Sequence, residues 1–574
     1  MKKLLLGNEA VARGLYESGV SVISSYPGTP STEITEYASL YDEMYSEWAP
    51  NEKVAAEVAV GASLAGARAF CGMKHVGLNV AADPLYTASY IGVLGGLVIG
   101  VADDPGMHSS QNEQDSRHHA IASKMPMLEP SDSAECLAFT KLAYDLSEQF
   151  DTPVFLRLTT RIAHSRSVAE ESSRQDVPLK EYKKNPAKNV MMPAMAKARH
   201  VEVEKRMLAL AEWAEIANIN TVEINHSGIG VITAGDCYHY AKEALGNRVS
   251  YLKLGIVNPL PVKLIKDFAS KFGKVYVIEE LDPIIENHCK QLGIKVIGKE
   301  LFSLMSEFSQ QTVKENILGE TAKLKTFNEK LPTRPPVLCA GCPHRGLFYA
   351  LKALDLFVSG DIGCYTLSAL LPLGALDTCI CMGASVSAMH GAGIARGEEF
   401  SKKAVAVIGD STFIHSGITG MIDIIYNKGI SNVIVLDNSI TGMTGHQHNP
   451  ANGFTLKNEP TDAVDLEALA YACGFKRVRT IDPYKINEVL EVLKEELNDR
   501  QPSFIISKRP CALLKSVKSS PALNISGCKS CKMCMKIGCP AISFKENKAI
   551  INHELCVGCS VCTEMCKFGC ISKR

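Results

Sequence analysis

The sequence lacks an excess of charge of either sign. Its 61 lysines and arginines are balanced by 62 aspartates and glutamates, which gives a formal net charge of -1. Binding to nucleic acid or to an anionic membrane through long-range attraction needs a strong positive field, which this composition does not supply. We therefore expect no nucleic-acid partner, and a small molecule or another protein is the better expectation.

Long apolar runs are also absent. The longest uncharged apolar run, YIGVLGGLVIGVA at 90–102, is shorter than the roughly 20 residues that cross a bilayer. The first residues, MKKLLLGNEAVARG, have too short an apolar stretch for the core of a signal peptide, and no cleavage site follows them. We expect a cytoplasmic protein with no membrane partner.

Cysteine, in contrast, is abundant and unevenly spread. Nine of the 20 cysteines lie after residue 527 in a chain of 574 residues. In a reducing compartment such crowding is poor evidence for disulfides and better evidence for metal or cluster ligands. A chain of this length also has room for several domains, each with its own core.

Two cysteine motifs near the end predict iron-sulfur clusters. They are C-x2-C-x2-C-x4-C, followed by proline, and C-x2-C-x2-C-x3-C. Three closely spaced thiolates bind one cluster, and the fourth points toward the neighbouring one. The sequence therefore predicts two [4Fe-4S] clusters, as in a bacterial two-cluster ferredoxin domain, whereas a zinc site needs pairs of cysteines. The predicted ligands are Cys528, Cys531, Cys534 and Cys566 for the first set, and Cys556, Cys559, Cys562 and Cys539 for the second, with Cys570 left over as an alternative ligand or a bystander.

Upstream of the tail, short apolar runs alternate with helix-like stretches, which indicates α/β domains with parallel sheets. A polar, lysine-rich segment at about 165–205 is typical of a linker with local helix, and PTRPP at 332–336 marks a second linker. We predict two large α/β domains, a smaller α/β domain between them and an α+β tail. The predicted bounds are 1–175, 190–325, 335–515 and 520–574.

The third of these domains carries a candidate magnesium and diphosphate site. In AVAVIGDSTF an apolar strand ends at Gly409 and Asp410, and Asn438 ends the later strand NVIVLDNS. Ligands of open α/β sheets bind beyond the carboxyl ends of the strands, where the two residues become neighbours. Asp410, the Asn438 amide oxygen and the carbonyl of Ile440 would supply oxygen ligands for Mg²⁺. The pattern resembles the thiamine diphosphate motif, although Ser411 stands where many members have glycine.

Other residues fit the rest of that cofactor. Gly383 opens a small-residue helix that allows close approach, and Gly442 and Gly445 suit a loop around phosphates. Thiamine diphosphate also needs a carboxylate against its aminopyrimidine. Glu52 starts an amphipathic helix and is the candidate, with Glu57 as the rival.

Several motifs occur together in one order and resemble the 2-oxoacid:ferredoxin oxidoreductases. They are SSYPGTPSTEI at 24–34, Glu52 ahead of Gly61, CAGCPHRG at 339–346, SGDIGCYT and VIGDS. Together with HSSQNEQDSRHHA and the cysteine-rich tail, they are most similar to the α subunits that act on indolepyruvate. The similarity covers nearly the whole chain. It implies a pyrimidine-binding first domain, a transketolase-C-terminal-like middle domain and a diphosphate-binding third domain.

The resemblance also implies a reaction. An aryl 2-oxoacid is decarboxylated on thiamine diphosphate, the acyl group passes to coenzyme A, and the clusters pass electrons singly to external ferredoxin. A small β subunit is the implied partner. Alternatives are a pyruvate or 2-oxoglutarate ferredoxin oxidoreductase, a non-oxidative decarboxylase, and an electron-transfer subunit without thiamine chemistry.

By position in the family motifs, Thr29 lies near substrate and Glu52 sets the cofactor tautomer. Arg117, with His118 and His119, either binds the substrate carboxylate or is a solvated loop residue. Lys74 and His75 stand beside Gly77 where many relatives have small residues, and we expect them to adjust the pocket.

Relatives also hold a cluster close to thiamine, and Cys339, Cys342, Cys364 and Cys511 match its ligands, although Cys511 is matched only by its place after a strand. A third cluster and four separate thiols are both open interpretations. The other cysteines are expected to be buried small residues: Cys71, Cys136, Cys237, Cys289, Cys379, Cys381 and Cys473.

Overall fold

A computed structural model describes residues 1–225, 228–321, 332 and 335–573. The chain forms two compact units, Met1–Asn328 and Glu329–Arg574. The linker predicted at 332–336 lies partly outside the described residues. No helix in the described ranges combines the length and the apolarity needed to cross a membrane.

The first unit alternates strands and helices along most of its length. Its strands are β1 (Lys2–Leu6), β2 (Val22–Ser25), β3 (Tyr45–Trp48), β4 (Ala69–Lys74), β5 (Leu97–Asp103), β6 (Met127–Leu128), β7 (Val154–Thr159), β8 (Arg166–Glu170), β9 (Thr221–Glu223), β10 (Ile229–Ala234), β11 (Ser250–Leu254), β12 (Ile256–Asn258) and β13 (Lys274–Ile278). Its helices are α1 (Gly7–Glu17), α2 (Thr32–Ala38), α3 (Glu52–Leu64), α4 (His75–Ile91), α5 (Arg117–Ser123), α6 (Ser133–Phe150), α7 (Thr160–His164), α8 (Pro186–Asn189), α9 (Pro193–Ile216), α10 (Gly235–Leu245), α11 (Val262–Ala269), α12 (Ile284–Gln291) and α13 (Gln310–Leu318).

A seven-stranded sheet is the centre of the first unit, in the order β12-β6-β7-β5-β4-β2-β3. Its strands are parallel except for β12, which pairs antiparallel with β6. Every residue of β4 and β5 is buried. Continuous burial is expected where helices cover both faces of a parallel sheet. A smaller sheet, β13-β10-β11-β9, is parallel except for β9.

The two domains predicted at 1–175 and 190–325 share this one compact unit. Strand β12 comes from the middle of the chain but extends the first sheet, and its Ile256 is paired with Leu128. The segment at about 165–205, which we interpreted as a linker with local helix, contains β8, which pairs with β1, and the first part of the long helix α9. Arg206 of α9 donates to the carbonyls of Ser89 and Asp151, which fixes the helix to the first domain. Such contacts between segments distant in sequence leave no local pattern.

The second unit has a larger α/β part and the small tail. Its strands are β14 (Phe357–Gly360), β15 (Thr378–Cys379), β16 (Ala404–Gly409), β17 (Asn432–Asp437), β18 (Arg477–Ile481), β19 (Ser503–Lys508), β20 (Asn524–Ile525), β21 (Ile542–Lys545), β22 (Lys548–Ile551) and β23 (Ile571–Ser572). Its helices are α14 (His344–Ala353), α15 (Ala384–Arg396), α16 (Glu398–Ser401), α17 (Asp410–Thr412), α18 (Ile418–Tyr426), α19 (Leu466–Ala472), α20 (Ile486–Leu497) and α21 (Val561–Glu564).

Six parallel strands form the main sheet of this unit, in the order β15-β14-β16-β17-β19-β18. The tail contains two short antiparallel pairs, β20 with β23 and β21 with β22. The predicted fold class is confirmed: parallel-sheet α/β domains, a smaller α/β part after the first of them, and a small α+β tail. Strands β16 and β17 lie side by side, which determines the position of the candidate site.

Candidate functional site

The carboxyl ends of β16 and β17 bring Asp410 and Asn438 together. Asp410 directly follows β16, and Asn438 directly follows β17, as the sequence predicted. The Ser439 N–H donates to Asp410 Oδ2 over 3.1 Å, and the Ile440 N–H donates to Asn438 Oδ1 over 3.3 Å. These bonds hold one carboxylate and one amide oxygen at the same edge of the sheet.

Asp410 is buried, at 2 % exposure, and no lysine or arginine among the described residues lies within ion-pair distance of it. Burial raises the pKa of Asp410 to about 7, and the neighbouring Asp437 adds to the rise. A buried carboxylate is costly unless it is paired or binds a metal. The donor set of carboxylate, amide oxygen and carbonyls is the one that Mg²⁺ prefers, so the residues fit a magnesium and diphosphate site.

The predicted glycines occupy positions with close neighbours or a positive φ. Gly383 precedes α15 with φ +88°, and a Cβ there would lie 2.4 Å from the Ser416 Cβ, so only glycine fits. Gly409 donates its N–H to the Tyr365 hydroxyl over 3.0 Å. Gly442 lies next to Cys364, whose Sγ would be 3.5 Å from an added Cβ, and Gly445 has φ +124°.

Sequence reasoning missed Asp361. Its fully buried carboxylate accepts the N–H groups of Gly383 and Ser385, each over 2.9 Å, and so fixes the start of α15. Burial raises the pKa of Asp361. A signal was present, because Asp361 follows Gly360 at the end of β14 in the same way that Asp410 follows Gly409 at the end of β16.

In the first unit, burial separates the two candidate glutamates. Glu52 is the first residue of α3 and is 4 % exposed. Its carboxylate packs against Gly77, where an added Cβ would lie 2.4 Å from Glu52 Oε1. Glu57 is about half exposed and forms an ion pair with Lys53 on the surface of the same helix. The structure thus favours Glu52 over Glu57, and its catalytic role stays a prediction.

Thr29 is half-buried and is linked to the loop after β5. Its carbonyl accepts from the Ser109 hydroxyl over 3.2 Å. The ammonium of Lys74 donates to the carbonyl of the same Ser109 over 2.6 Å. Lys74 and His75 are both buried, at the junction of β4 and α4. Residues that the sequence marked separately are therefore brought together.

Arg117 requires a correction. It is 1 % exposed, and its guanidinium donates to the Asp115 carboxylate through Nε, over 2.9 and 3.1 Å, and through Nη2, over 2.6 Å. The guanidinium donates to Glu279 over 2.6 Å. It also donates to the carbonyls of Glu280 and Asp282. The side chain is neither a solvated loop residue nor open to a substrate carboxylate. It joins the loop after β5 to the segment after β13, and we withdraw it as a substrate ligand.

The two histidines that follow do not replace Arg117. His118 is exposed, and its Nε2 lies 2.8 Å from Asp282 Oδ2. His119 Nε2 lies 3.2 Å from Asn79 Oδ1, and its Nδ1 lies 3.4 Å from the Tyr86 hydroxyl. Burial lowers the pKa of His119. Each ring therefore already has at least one protein partner.

In the tail, the two predicted sets of four cysteines line separate cavities. One cavity is lined by the first set together with Cys570. Another is lined by the second set together with Cys342 and Arg345 of the α/β part. Each set thus lines one common space, and the residues fit two clusters. The first-set thiols are Cys528, Cys531, Cys534 and Cys566, and the second-set thiols are Cys539, Cys556, Cys559 and Cys562.

Cys566 and Cys570 differ in their surroundings although both line the first cavity. Burial alone would raise the pKa of Cys566, but hydrogen-bond donors outweigh burial, and the pKa is lowered. One of these donors is the Cys570 N–H, 3.2 Å from the Cys566 Sγ. The pKa of Cys570 is raised, by desolvation and then by the charge of Cys566. The thiolate is the form that binds metal, which favours Cys566 as the ligand.

The four candidate ligands of a third cluster also lie near one another. This four-thiol group consists of Cys339, Cys342, Cys364 and Cys511. Burial raises the pKa of Cys342 to about 12 and that of Cys364 to about 11, and the negative charges of the other thiols add to both rises. Burial likewise raises the pKa of Cys511, and Cys339 contributes. The Cys511 N–H donates to the Asn438 carbonyl over 3.0 Å. This four-thiol group therefore lies beside the predicted magnesium edge.

Of the cysteines expected to be buried, Cys71, Cys136, Cys237 and Cys289 are buried. The expectation was wrong for Cys379 and Cys381, which are exposed, and for Cys473, which is half-buried. Cys379 ends the edge strand β15, and Cys473 follows the end of α19, so neither position is covered on all sides.

Two families match parts of the chain. Residues 13–221 match the thiamine-diphosphate-binding family of pyruvate flavodoxin/ferredoxin oxidoreductases. Residues 361–507 match the C-terminal thiamine-pyrophosphate-binding domain of thiamine pyrophosphate enzymes. The second match contains Asp410 and Asn438, and the first contains Thr29 and Glu52. The fold and these matches define an enzyme of the thiamine diphosphate class.

Full-length relatives narrow the class. Indolepyruvate oxidoreductase subunit IorA of Archaeoglobus fulgidus is 40% identical, with 98% of this chain and 96% of the relative covered. The subunit IorA of Pyrococcus horikoshii is 38% identical, with 100% and 97% covered. The structure of a 2-oxoglutarate:ferredoxin oxidoreductase from Magnetococcus marinus superimposes with a TM-score of 0.48 at 18% identity over 55% of this chain and 65% of that chain. The chain belongs to the indolepyruvate oxidoreductase subunit IorA family, and it is an oxidoreductase subunit.

Proposed function

We propose that this chain, with a small β subunit, catalyses the ferredoxin-dependent oxidative decarboxylation of aryl pyruvates such as indolepyruvate. One 2-oxoacid and one coenzyme A thiol give one acyl-CoA, one CO2 and one proton, and two electrons leave singly on external ferredoxin. The names of the relatives support the substrate class. The proposal includes a cytoplasmic location, which the 20 unpaired cysteines support.

One observation carries this function: the oxygen-donor edge and the cysteine groups are contiguous in the second unit. Asn438 accepts from the Cys511 N–H, Cys511 belongs to the four-thiol group, and Cys342 of that group also lines the cavity of the second set. A thiamine enzyme that passes electrons to clusters needs this continuity. A decarboxylase that releases aldehyde would not.

Thiamine diphosphate, when bound, supplies the nucleophilic carbon and the electron sink for decarboxylation. The chain's own residues bind and orient it. Asp410, Asn438 and the Ile440 carbonyl would hold Mg²⁺ against the diphosphate. Glu52 would accept a hydrogen bond from the protonated aminopyrimidine ring, and its burial excludes the water that would compete for this bond.

We assign electron transfer to the cysteine groups in the order in which they lie next to one another, starting from the group beside Asn438. A third cluster at Cys339, Cys342, Cys364 and Cys511 would be the first acceptor, and its link to Asn438 supports this. A cluster held by the second set would be the next acceptor, because Cys342 lines the cavity of that set. The first set, with the exposed Cys531, would then deliver electrons to ferredoxin.

The first test is anaerobic analysis of iron, acid-labile sulfide and bound thiamine diphosphate on the purified chain. About twelve irons per chain would support three clusters, and about eight would support the two tail clusters alone. Iron without thiamine diphosphate, even after addition of Mg²⁺ and the cofactor, would favour an electron-transfer subunit. A panel of 2-oxoacids with a viologen dye would separate aryl pyruvates from pyruvate and 2-oxoglutarate.

The magnesium edge yields a separate prediction. Asp410→Asn should weaken Mg²⁺-dependent binding of thiamine diphosphate by roughly tenfold to a hundredfold or more. Asp410 is the only charged ligand among the proposed magnesium ligands Asp410, Asn438 and the Ile440 carbonyl. Equilibrium dialysis at several Mg²⁺ concentrations measures this. Asp423→Asn is the matched control, since it removes the same charge from an exposed position in the same unit. Unchanged binding by the Asp410 variant would contradict the magnesium assignment.

A further inference from the structure

Lys74 is a buried cation without a carboxylate partner. It ends β4, is 7 % exposed, and donates to the carbonyl of Ser109 over 2.6 Å and to its hydroxyl over 3.3 Å. Among the described residues no carboxylate oxygen lies within ion-pair distance of its ammonium group. Lysine is rarely buried unless it is paired with an opposite charge. The ammonium also has three donors, and in the described part of the chain only Ser109 accepts from it, through its carbonyl and its hydroxyl.

The carboxylate with the largest electrostatic effect on Lys74 is Asp104, and it is already occupied. Its Oδ2 accepts the Ser109 N–H over 2.9 Å and the Ser110 hydroxyl over 2.5 Å, and its Oδ1 accepts the Thr160 hydroxyl over 2.6 Å. Burial lowers the pKa of Lys74 to about 8, and Asp104 opposes that fall only in part. Asp104 therefore does not form the missing ion pair.

The next residue adds an independent observation. His75 is 1 % exposed, and its Nδ1 has no hydrogen-bond partner among the described residues. Its Nε2 lies 3.3 Å from the Asn112 carbonyl. A buried polar atom without a partner is costly, and such atoms in native proteins usually indicate an absent water, ion or ligand.

The position of Lys74 indicates the kind of ligand that would fit beside it. Ser109, which accepts from Lys74, also donates to the Thr29 carbonyl, and Ser109 is exposed while Thr29 is half-buried. Three residues after Lys74, Gly77 packs against the Glu52 carboxylate. Lys74 is thus linked to Thr29 through the exposed Ser109, and it lies three residues before the glycine that packs against Glu52.

We propose that Lys74 binds the carboxylate of the aryl 2-oxoacid, with His75 as a positioning residue beside it. This inference rests on the proposed function. It gives Lys74 the role for which Arg117 is not available. The anion would take the third donor of the ammonium and supply the opposite charge that the folded chain lacks at this position.

The test compares two unreactive inhibitors of the assembled enzyme, indole-3-propionate and its neutral amide. Lys74→Met should weaken inhibition by the carboxylate by roughly tenfold to a hundredfold, the cost of one charged hydrogen bond, and should leave inhibition by the amide unchanged. The KM for indolepyruvate should rise by a similar factor. Lys205→Met is the matched control, because that lysine is exposed on α9. Equal loss of both inhibitors would show a structural role and overturn the proposal.

A pH profile provides a second readout, and its first part uses the wild-type enzyme alone. The titratable groups facing Lys74 are Asp104 after β5 and His75 on α4. Below about pH 8 the ammonium is charged, so kcat/KM for the 2-oxoacid should be constant, and it should fall as pH rises above that value. Lys74→Arg should retain the carboxylate preference and move the fall to higher pH, because arginine keeps its charge. A fall at an unchanged pH in this variant would contradict the proposal.

The outcomes separate this inference from the proposed function. If the wild-type enzyme reduces viologen with indolepyruvate but Lys74→Met keeps its preference for the carboxylate inhibitor, only the assignment of Lys74 fails. If the wild-type enzyme binds thiamine diphosphate and oxidises no aryl pyruvate, the proposed function fails.

Discussion

Replacing Glu52 with glutamine should lower the rate of 2-oxoacid decarboxylation by roughly a hundredfold to ten-thousandfold, the range for loss of a group that controls proton transfer. The amide is nearly the same size as the carboxylate, so the packing against Gly77 is kept. The amide is neutral, however, and it cannot stabilise a protonated ring as the carboxylate anion does. Release of CO2 from indolepyruvate by the assembled enzyme measures the effect. Iron content should not change, because Glu52 belongs to a different compact unit from the cysteine sets.

Glu57→Gln is the matched control for this variant. It removes the same charge from the same helix, but from a half-exposed position paired with Lys53, so activity should be nearly unchanged. Gly77→Ala adds a third comparison, because its Cβ would come within 2.4 Å of Glu52 Oε1 and displace the carboxylate without altering it chemically. Full activity in the Glu52 variant, or loss of decarboxylation in the Glu57 variant, would transfer the contact with the aminopyrimidine from Glu52 to Glu57.

Replacing Cys566 with alanine should remove the first-set cluster, about four irons per chain, and with it the reduction of ferredoxin. The second motif supplies this thiol to the cavity of the first, and N–H donors favour its thiolate. Iron analysis and ferredoxin reduction with indolepyruvate measure the effect. Thiamine diphosphate binding should be retained, because Asp410 and Asn438 are unchanged.

Cys570→Ala tests the ligand assignment within the same cavity. Both Cys566 and Cys570 line this space, but the pKa of Cys570 is raised, which disfavours its thiolate. The iron content of the Cys570→Ala variant should therefore match that of the wild-type protein. If the Cys570 variant loses iron and the Cys566 variant retains it, the two residues exchange roles. Loss of iron in both variants would indicate that the tail needs each thiol to fold around the cluster.

Sequence reasoning predicted positions well where they depend on short spacing or on a rule of sheet topology. Asp410 and Asn438 are neighbours because parallel strands end at one edge, and this follows from two strand ends alone. The grouping of Cys566 with the first motif and Cys539 with the second follows from the reach of each motif. The fold class was predictable for the same reason, since alternating strands and helices leave a periodic pattern.

It failed where a side chain is determined by partners distant in the chain. Arg117 stands next to two histidines in a polar stretch, and nothing local shows that Glu279 and the carbonyl of Asp282 enclose it. The ligands of a buried arginine come from three-dimensional packing. For Lys74, the sequence marked the position but not the missing counterion, which is visible only when the surrounding loop is in place.

The pairing of β12 with β6 limits how this chain can be divided. The core beneath the main sheet of the first unit is shared, with Val101 and Met127 packed in the same cluster as Leu252 and Val257. A fragment that stops near residue 175 would expose this apolar surface and leave β6 as an open edge strand, the kind of edge that pairs with other chains. Such a fragment should aggregate, whereas one that extends to the end of the first compact unit retains both its cover and its edge strand.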